Sequence, residues 1–213
     1  MRITEIFKSI QGESTYVGAP CIFIRLTGCN LRCSWCDTEY AFFGGEELSI
    51  EEAVKRVGAL GGELVEITGG EPLLQEEVYP LMDQLLRKGY EVMLETSGQR
   101  KIDRIPPEVV KIVDVKCPDS GEANSFAIEN LEHLVRRDQV KFVILTRRDY
   151  EFSCDFSRKH RLAERVDAVI FSPVYGGLDP KELAGWMLRD GLSGVRLGCQ
   201  LHKIIWGANE RGV

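Results

Sequence analysis

Apolar runs of strand length alternate with segments of helical spacing along most of this 213-residue chain, and that alternation limits the folds open to it. Residues 21–26, Cys-Ile-Phe-Ile-Arg-Leu, are rich in β-branched and aromatic side chains and read as a strand, as do 63–67, 90–94, 110–115, 140–145, 166–171 and 195–197. Ser49 followed by Glu52 is a capping-box signature for a helix running to about Leu60. Leu74, Val78, Leu81, Leu85 and Leu86 recur at helical spacing over 73–88; Gly89 stops that helix, and Pro80 kinks it or marks its start. Further helices are predicted over 125–136, within 149–164 and over 180–189. Strands joined by helical crossovers make a parallel sheet. About six strands are too few for a closed eight-unit barrel, which leaves an open doubly wound sheet or a partial barrel. In either, functional loops gather at the carboxyl ends of the strands.

A chain of this length suits one α/β domain spanning 1–213. Its composition, 44% hydrophobic and 28% charged, is ordinary for a globular protein, and no segment approaches the roughly 18 consecutive apolar residues of a membrane span. Met1 to Ile6 lacks the basic and then apolar pattern of a secretory signal, so a cytoplasmic protein is expected. A net charge of -6 speaks against binding nucleic acid over a broad surface and for a small-molecule ligand. The short pairs Arg136-Arg137 and Arg147-Arg148 lie near acidic residues and read as solvated surface.

Three of the seven cysteines, Cys29, Cys33 and Cys36, fall on one loop after the 21–26 strand. In a reducing compartment such clustering indicates metal or redox chemistry and not a disulfide framework. Three thiolates can hold three irons of a cubane and leave the fourth iron open, whereas electron-transfer cubanes usually take four cysteines. An open iron accepts an external ligand, and the amino and carboxylate groups of S-adenosylmethionine (SAM) are suitable donors. The spacing also admits a structural zinc site completed by Cys21, Cys117, Cys199, His133, His160 or His202. Trp35 beside the last cysteine packs into the core or covers an adenine face.

Cys-x3-Cys-x-aromatic-Cys, followed after a strand by Gly69-Gly70-Glu71-Pro72, resembles the radical SAM superfamily. The resemblance implies a partial, incomplete parallel β/α barrel, with Gly69, Gly70 and Glu71 at the SAM amino group. Glycine there lets a backbone approach a ligand closely. The flanks narrow the match: Glu5 to Ser14, Gly18-Ala19-Pro20, Phe23 to Leu26, Trp35 to Thr38, Asp114 to Pro118, Leu201-His202-Lys203 and Trp206-Gly207 are similar to the 7-carboxy-7-deazaguanine synthase (QueE) family of queuosine biosynthesis.

That resemblance implies a magnesium- and SAM-dependent ring contraction of 6-carboxy-5,6,7,8-tetrahydropterin to 7-carboxy-7-deazaguanine with release of ammonia. A 5'-deoxyadenosyl radical would take hydrogen from C6 of the pterin and recover one after rearrangement, while the protein positions C6 and excludes other hydrogen donors. Site residues follow from the same resemblance. Ile10, Gln11, Gly12, Arg25, Thr68 and His202 would contact substrate, and Trp35, Ser97, Asp114, Val115, Lys116, Ser172 and Pro173 would join Gly69 to Glu71 around SAM. Cys29, Cys33 and Cys36 would hold the [4Fe-4S] cluster, and Thr38 would give magnesium an oxygen. Arg25 offers a planar fork for the substrate carboxylate, and Gln11 an amide for a pterin edge. Magnesium keeps several waters, so one protein ligand suffices. Outside the family, Thr38 reads as a cap and Arg25 as an exposed strand residue.

The resemblance further implies an electron donor such as flavodoxin or ferredoxin, a homodimer, and no membrane or nucleic-acid partner. Two other readings remain at this point: a glycyl-radical-activating type of radical SAM enzyme, and a zinc-binding module without catalysis. The contexts Gln11-Gly12-Glu13 and Trp35-Cys36-Asp37-Thr38 argue against the first.

Overall fold

A computed structural model describes residues 1–208 and 210–213. Nine strands form one sheet: β1 (Arg2–Ile10), β2 (Pro20–Leu26), β3 (Glu46–Glu47), β4 (Leu64–Gly69), β5 (Glu91–Thr96), β6 (Val110–Asp114), β7 (Gln139–Ile144), β8 (Ala168–Pro173) and β9 (Val195–Leu197). The order is β3-β1-β2-β4-β5-β6-β7-β8-β9. From β2 to β9 every neighbouring pair is parallel, whereas β1 runs antiparallel to both β2 and β3. The two ends of the sheet, β3 and β9, are not paired with each other, so the barrel is incomplete.

Strand β1 was not expected from the sequence. Its apolar residues Ile3, Ile6, Phe7 and Ile10 do not keep a strict alternation, and the strand is defined by its ladder to β2, from Ile3 opposite Leu26 to Ile10 opposite Pro20. The expected strand 110–115 stops at Asp114, and Val115 turns into the helical layer.

The helices are α1 (Ile50–Leu60), α2 (Val78–Arg87), α3 (Arg147–Lys159), α4 (Leu162–Arg165), α5 (Pro180–Arg189) and α6 (Leu201–Ile205). α1 starts on the expected capping box: Ser49 Oγ accepts the Glu52 amide and the Glu52 carboxylate accepts the Ser49 amide. The segment 73–88 divides, with a 3-10 turn at Pro72–Leu74 and the α-helix beginning only at Val78. Pro80 therefore falls in the first turn of α2, where a missing N–H breaks no intrahelical bond.

The helix expected over 125–136 is absent, and among the described residues the β6-to-β7 crossover carries only two 3-10 turns, Pro118–Ser120 and Ile128–Glu132. Tertiary hydrogen bonds hold that segment instead. The buried Asn130 donates to the carbonyls of Gly98 and Arg100 and accepts from the Ile102 amide, filling the space under the loop that follows β5. Helix α6, which carries His202, is a further element not expected from the sequence.

Apolar side chains divide between the two faces of the sheet. Ile22, Ile24, Val65, Ile67, Val92, Leu94 and Val113 face the helices, against Val57, Leu81, Leu85 and Tyr150. Cys21, Leu64, Met93, Val110 and Ile112, with Phe23, form a smaller cluster at the opposite side. Strand alternation sends successive residues to opposite faces, so the inner cluster closes the bottom of the partial barrel and leaves its upper part open. Among the described residues no helix is long and apolar enough to cross a membrane.

Candidate active site

Above that plug lies a cavity of about 840 Å³, lined from the ends of β1, β2, β4, β5 and β6, the cysteine loop and the C-terminal segment. Its lower wall carries charge. Lys141 of β7 donates to Glu13 at 2.7 Å, pairs closely with Glu95, and lies 3.8 Å from Asp114, which takes Lys116 at 2.8 Å. Burial opposes charge on Glu13, but Lys141 and His202 beside it hold its carboxyl well below the usual range. Burial likewise acts to lower Lys141 and Lys116, and the facing carboxylates override it, so both lysines stay protonated.

Glu66 behaves in the opposite way. Only 2% exposed on β4, it accepts a hydrogen bond from Gln11 Nε2 at 2.8 Å and forms no ion pair among the described residues. Burial and the neighbouring Glu95 push its pKa up to about 8.

The cysteine loop leaves β2 and crosses the top of the cavity, where Cys29, Cys33, Trp35, Cys36 and Thr38 all line the wall. The loop is anchored at several points: Arg32 N donates to Glu122, Ser34 donates through N to Ser120 O and through Oγ to Asp119 O, and Gly28 N donates to Ala41 O. None of the three thiols is in a disulfide. Burial pushes the Cys33 thiol up to about 11, so its proton leaves readily only when a cation takes its place. Thr38 begins a 3-10 turn but makes no side-chain cap bond, and its Oγ1 lies 3.8 Å from Cys36 Sγ.

The Gly69-Gly70-Glu71 turn lies beside the cysteine loop, with Gly69 and Gly70 lining the cavity. A Cβ on Gly70 would sit 2.3 Å from Gly28 O and 2.6 Å from Cys29 Cβ; one on Gly69 would sit 2.4 Å from Leu26 O. The glycines thus let two pieces of backbone meet, and that contact positions the cysteines. The Glu71 carboxylate points away from the cavity, accepting Leu73 N, Thr96 Oγ1, Ser97 N and Ser97 Oγ. Glu71 therefore ties the β4 turn to the end of β5.

Of the other expected residues, Ile10, Gln11, Gly12, Arg25, Thr68, Ser97, Asp114, Lys116 and His202 line the cavity. Val115, Ser172 and Pro173 do not. Ser172 is covered by Gly198, whose Cβ position is 2.4 Å from Ser172 Oγ, and Val174 and Tyr175 reach the cavity instead. Gln11 is also engaged within the protein. Its Oε1 accepts the amides of Glu13 and Ser14, and its Nε2 is held by Glu66, so the side chain shapes its own loop. Arg25 is held through Nε by Glu5 at 2.8 Å, with Tyr40 donating to the same oxygen, which leaves the terminal guanidinium nitrogens free of hydrogen bonds among the described residues.

The C-terminal segment closes one side. Leu201 N donates to Gly12 O, His202 lies where a Cβ on Gly12 would be, Gln200 donates to Glu13, and Lys203 pairs with Asp37 at 2.6 Å. These bonds join the Gln11–Glu13 loop to the cysteine loop.

Comparison with known proteins accords with this geometry. A model of the Radical SAM superfamily matches residues 23–115. Over the full length of both chains the sequence is 54% identical to the 7-carboxy-7-deazaguanine synthase of Koribacter versatilis. It is 42% identical to that of Chlorobaculum tepidum, with 100% of this chain and 97% of the relative covered. This chain belongs to the 7-carboxy-7-deazaguanine synthase family. The crystal structure of QueE from Escherichia coli is similar at a TM-score of 0.75 and 26% identity, covering 94% of each chain.

As a member of the 7-carboxy-7-deazaguanine synthase family the chain is a radical SAM enzyme that uses a [4Fe-4S] cluster and SAM. The donor set fits the cluster: three free thiols face one cavity, and Cys21, Cys117 and Cys154 are buried elsewhere. The zinc reading gives way to the family assignment, which brings the cluster to these thiols, and two of the candidates for a fourth zinc ligand, Cys21 and Cys117, are buried outside the cavity lining. The fit to SAM rests on Asp114, whose Oδ1 is buried at the cavity wall with no hydrogen-bond partner.

Several lining residues were not singled out from sequence: Glu5, Glu13, Glu66, Glu95, Lys141 and Tyr40. A signal existed for Glu66 and Lys141, each a charged residue inside an otherwise apolar parallel strand.

Proposed function

We propose that the enzyme converts 6-carboxy-5,6,7,8-tetrahydropterin to 7-carboxy-7-deazaguanine by ring contraction with loss of ammonia, and that it needs magnesium. The observation that carries this reading is the meeting, in one cavity, of three free cysteines, Thr38 beside them, and the Arg25 guanidinium one wall away. The cluster and SAM, when bound, supply the hydrogen-atom abstraction. The chain's own residues do the positioning.

Arg25, aligned by Glu5 and Tyr40, takes the substrate carboxylate with its free guanidinium nitrogens. Thr68, its partner in the β2–β4 register, lies on the same face. Thr38, whose hydroxyl caps no turn and contacts only the Cys36 thiol among the described residues, offers it to a magnesium ion that keeps most of its waters. Asp114 and Lys116 face the SAM amino and carboxylate groups, with Ser97 and Trp35 along the same wall. The backbone of Gly69 and Gly70 contributes to the SAM site, and His202 borders the substrate. Chain 1–213 works as one domain, as a homodimer in the cytoplasm, reduced by a flavodoxin or ferredoxin.

The test is anaerobic incubation of reconstituted protein with SAM, reductant, magnesium and 6-carboxytetrahydropterin, followed by mass spectrometry. Appearance of 7-carboxy-7-deazaguanine, dependent on magnesium, is the expected result. SAM cleavage without that product would overturn the substrate assignment and leave the radical SAM chemistry standing.

A further inference from the structure

Among the carboxylates that line the cavity, four come together from different elements around Lys116 and Lys141: Glu13 after β1, Glu66 on β4, Glu95 on β5 and Asp114 on β6. Two lysines, Lys116 and Lys141, face them, and their donors are committed to Glu13, Glu95 and Asp114. An ionised carboxylate has about four acceptor sites. The wall therefore carries many more acceptors than its own donors can satisfy, and it suits a ligand rich in N–H groups.

Glu66 is the member that forms no ion pair among the described residues, and its place in the fold singles it out. In the β2–β4 register Phe23 pairs with Glu66, and Arg25 pairs with Thr68. Glu66 and Phe23 thus lie one side-chain layer deeper than Arg25 and Thr68, about 6–7 Å along the strands. That step is comparable with the long axis of a two-ring heterocycle. Phe7 and Phe23, stacked with ring centroids 5.1 Å apart, give the deeper layer an aromatic wall. Gln11 Nε2 holds one carboxyl oxygen of Glu66 and so orients the group.

A pterin whose 6-carboxylate meets Arg25 points its opposite end, the 2-amino-4-oxopyrimidine edge, into this deeper layer. We propose that Glu66 is a substrate-binding residue that sets specificity for that edge, its carboxyl accepting the ring N–H and the exocyclic amino N–H as a pair. The assignment rests on the pterin reading given above.

Free Glu66 carries a proton near neutrality, because burial and then Glu95 and Glu13 raise it, against Gln11 and Lys141, which lower it. Cys21, packed against β4 from β2, is a neutral thiol, pushed up by burial. Two N–H donors favour the ionised carboxyl, so at pH 7 the ligand displaces the Glu66 proton to solvent.

The experiment is calorimetric titration of the reconstituted holoenzyme, with SAM and magnesium, using 6-carboxypterin, which is already oxidised, and its counterpart lacking the 2-amino group. Wild-type protein is expected to bind 6-carboxypterin roughly 10- to 100-fold more tightly than the 2-desamino compound. Glu66→Gln removes most of that difference while iron content stays at the wild-type level. Repeating the titration at pH 7 in buffers of different ionisation enthalpy should show proton release for the wild type and none for E66Q.

Equal binding of both compounds by the wild type, or undiminished discrimination by E66Q, overturns the assignment of Glu66 alone. Wild-type protein that binds neither compound overturns the pterin reading and this assignment with it. Should E66Q fail to assemble its cluster, the wild-type comparison of the two compounds and its proton release decide the matter.

Discussion

Among single residues, the cysteines differ most in what their loss should do. Cys33 faces the cavity from a loop anchored on both sides, and no other described cysteine outside the loop reaches that cavity to replace it. Cys33→Ala should abolish the iron–sulfur absorbance and SAM cleavage. Cys154 lies in the helical layer, 4% exposed, on the far side of the sheet. Cys154→Ala should cost about 1 kcal/mol of stability for the lost apolar volume and leave iron content unchanged. Equal iron loss in both variants, read by visible absorbance and iron analysis, would contradict the assignment of the loop. Gln11 lines the cavity while its amide also bonds to Glu13, Ser14 and Glu66, contacts that only the fold makes.

Between elements, the contacts of turns and caps decide geometry. Ser49→Ala removes one half of a reciprocal cap on α1 and should cost about 1 kcal/mol in thermal melts, with no effect on iron content, because α1 is remote from the cavity. Gly70→Ala should act differently. The new Cβ meets Gly28 O and Cys29 Cβ, neither of which is the flexible end of a side chain, so the cysteine loop must move. The expected outcome is a folded protein by circular dichroism that assembles much less cluster per chain. Full cluster content in Gly70→Ala would show that the packing of the β4 turn against the loop does not position the thiols. The expected helix over 125–136 belongs to this scale too: a single buried Asn130 with three backbone partners holds the segment as a tight turn.

The whole molecule carries a pH dependence that follows from its buried carboxyls. Glu66 keeps its proton up to about 8 in the folded chain and releases it in the ordinary carboxylate range when unfolded. The folded state thus binds more protons over that interval; its stability is full below the ordinary range and falls as pH rises toward about 8. Glu13 has the opposite sign: its depressed pKa contributes stability above the ordinary range that is lost in acid. Melting temperature measured from about pH 5 to about pH 8 should decline, and Glu66→Gln should flatten that decline. An unchanged slope in E66Q would place the titration elsewhere.

Much of this protein was determined by local sequence. The alternation of strands and helices, the Ser49 cap, the clustered cysteines and the glycine turn after β4 each depend on side chains a few residues apart, so short-range pattern reveals them. Arg25 and Thr68 could be placed near the strand ends for the same reason. The tertiary structure alone decided the rest. β1 exists through its ladder to β2, Gly69 and Gly70 are needed where two distant backbones touch, and Glu71 is turned inward by β5. The charged wall joins Glu13, Glu66, Glu95, Asp114 and Lys141 from five separate elements. Charges so far apart in the chain influence one another only when a shared, water-poor cavity brings them together, and no local pattern encodes that meeting.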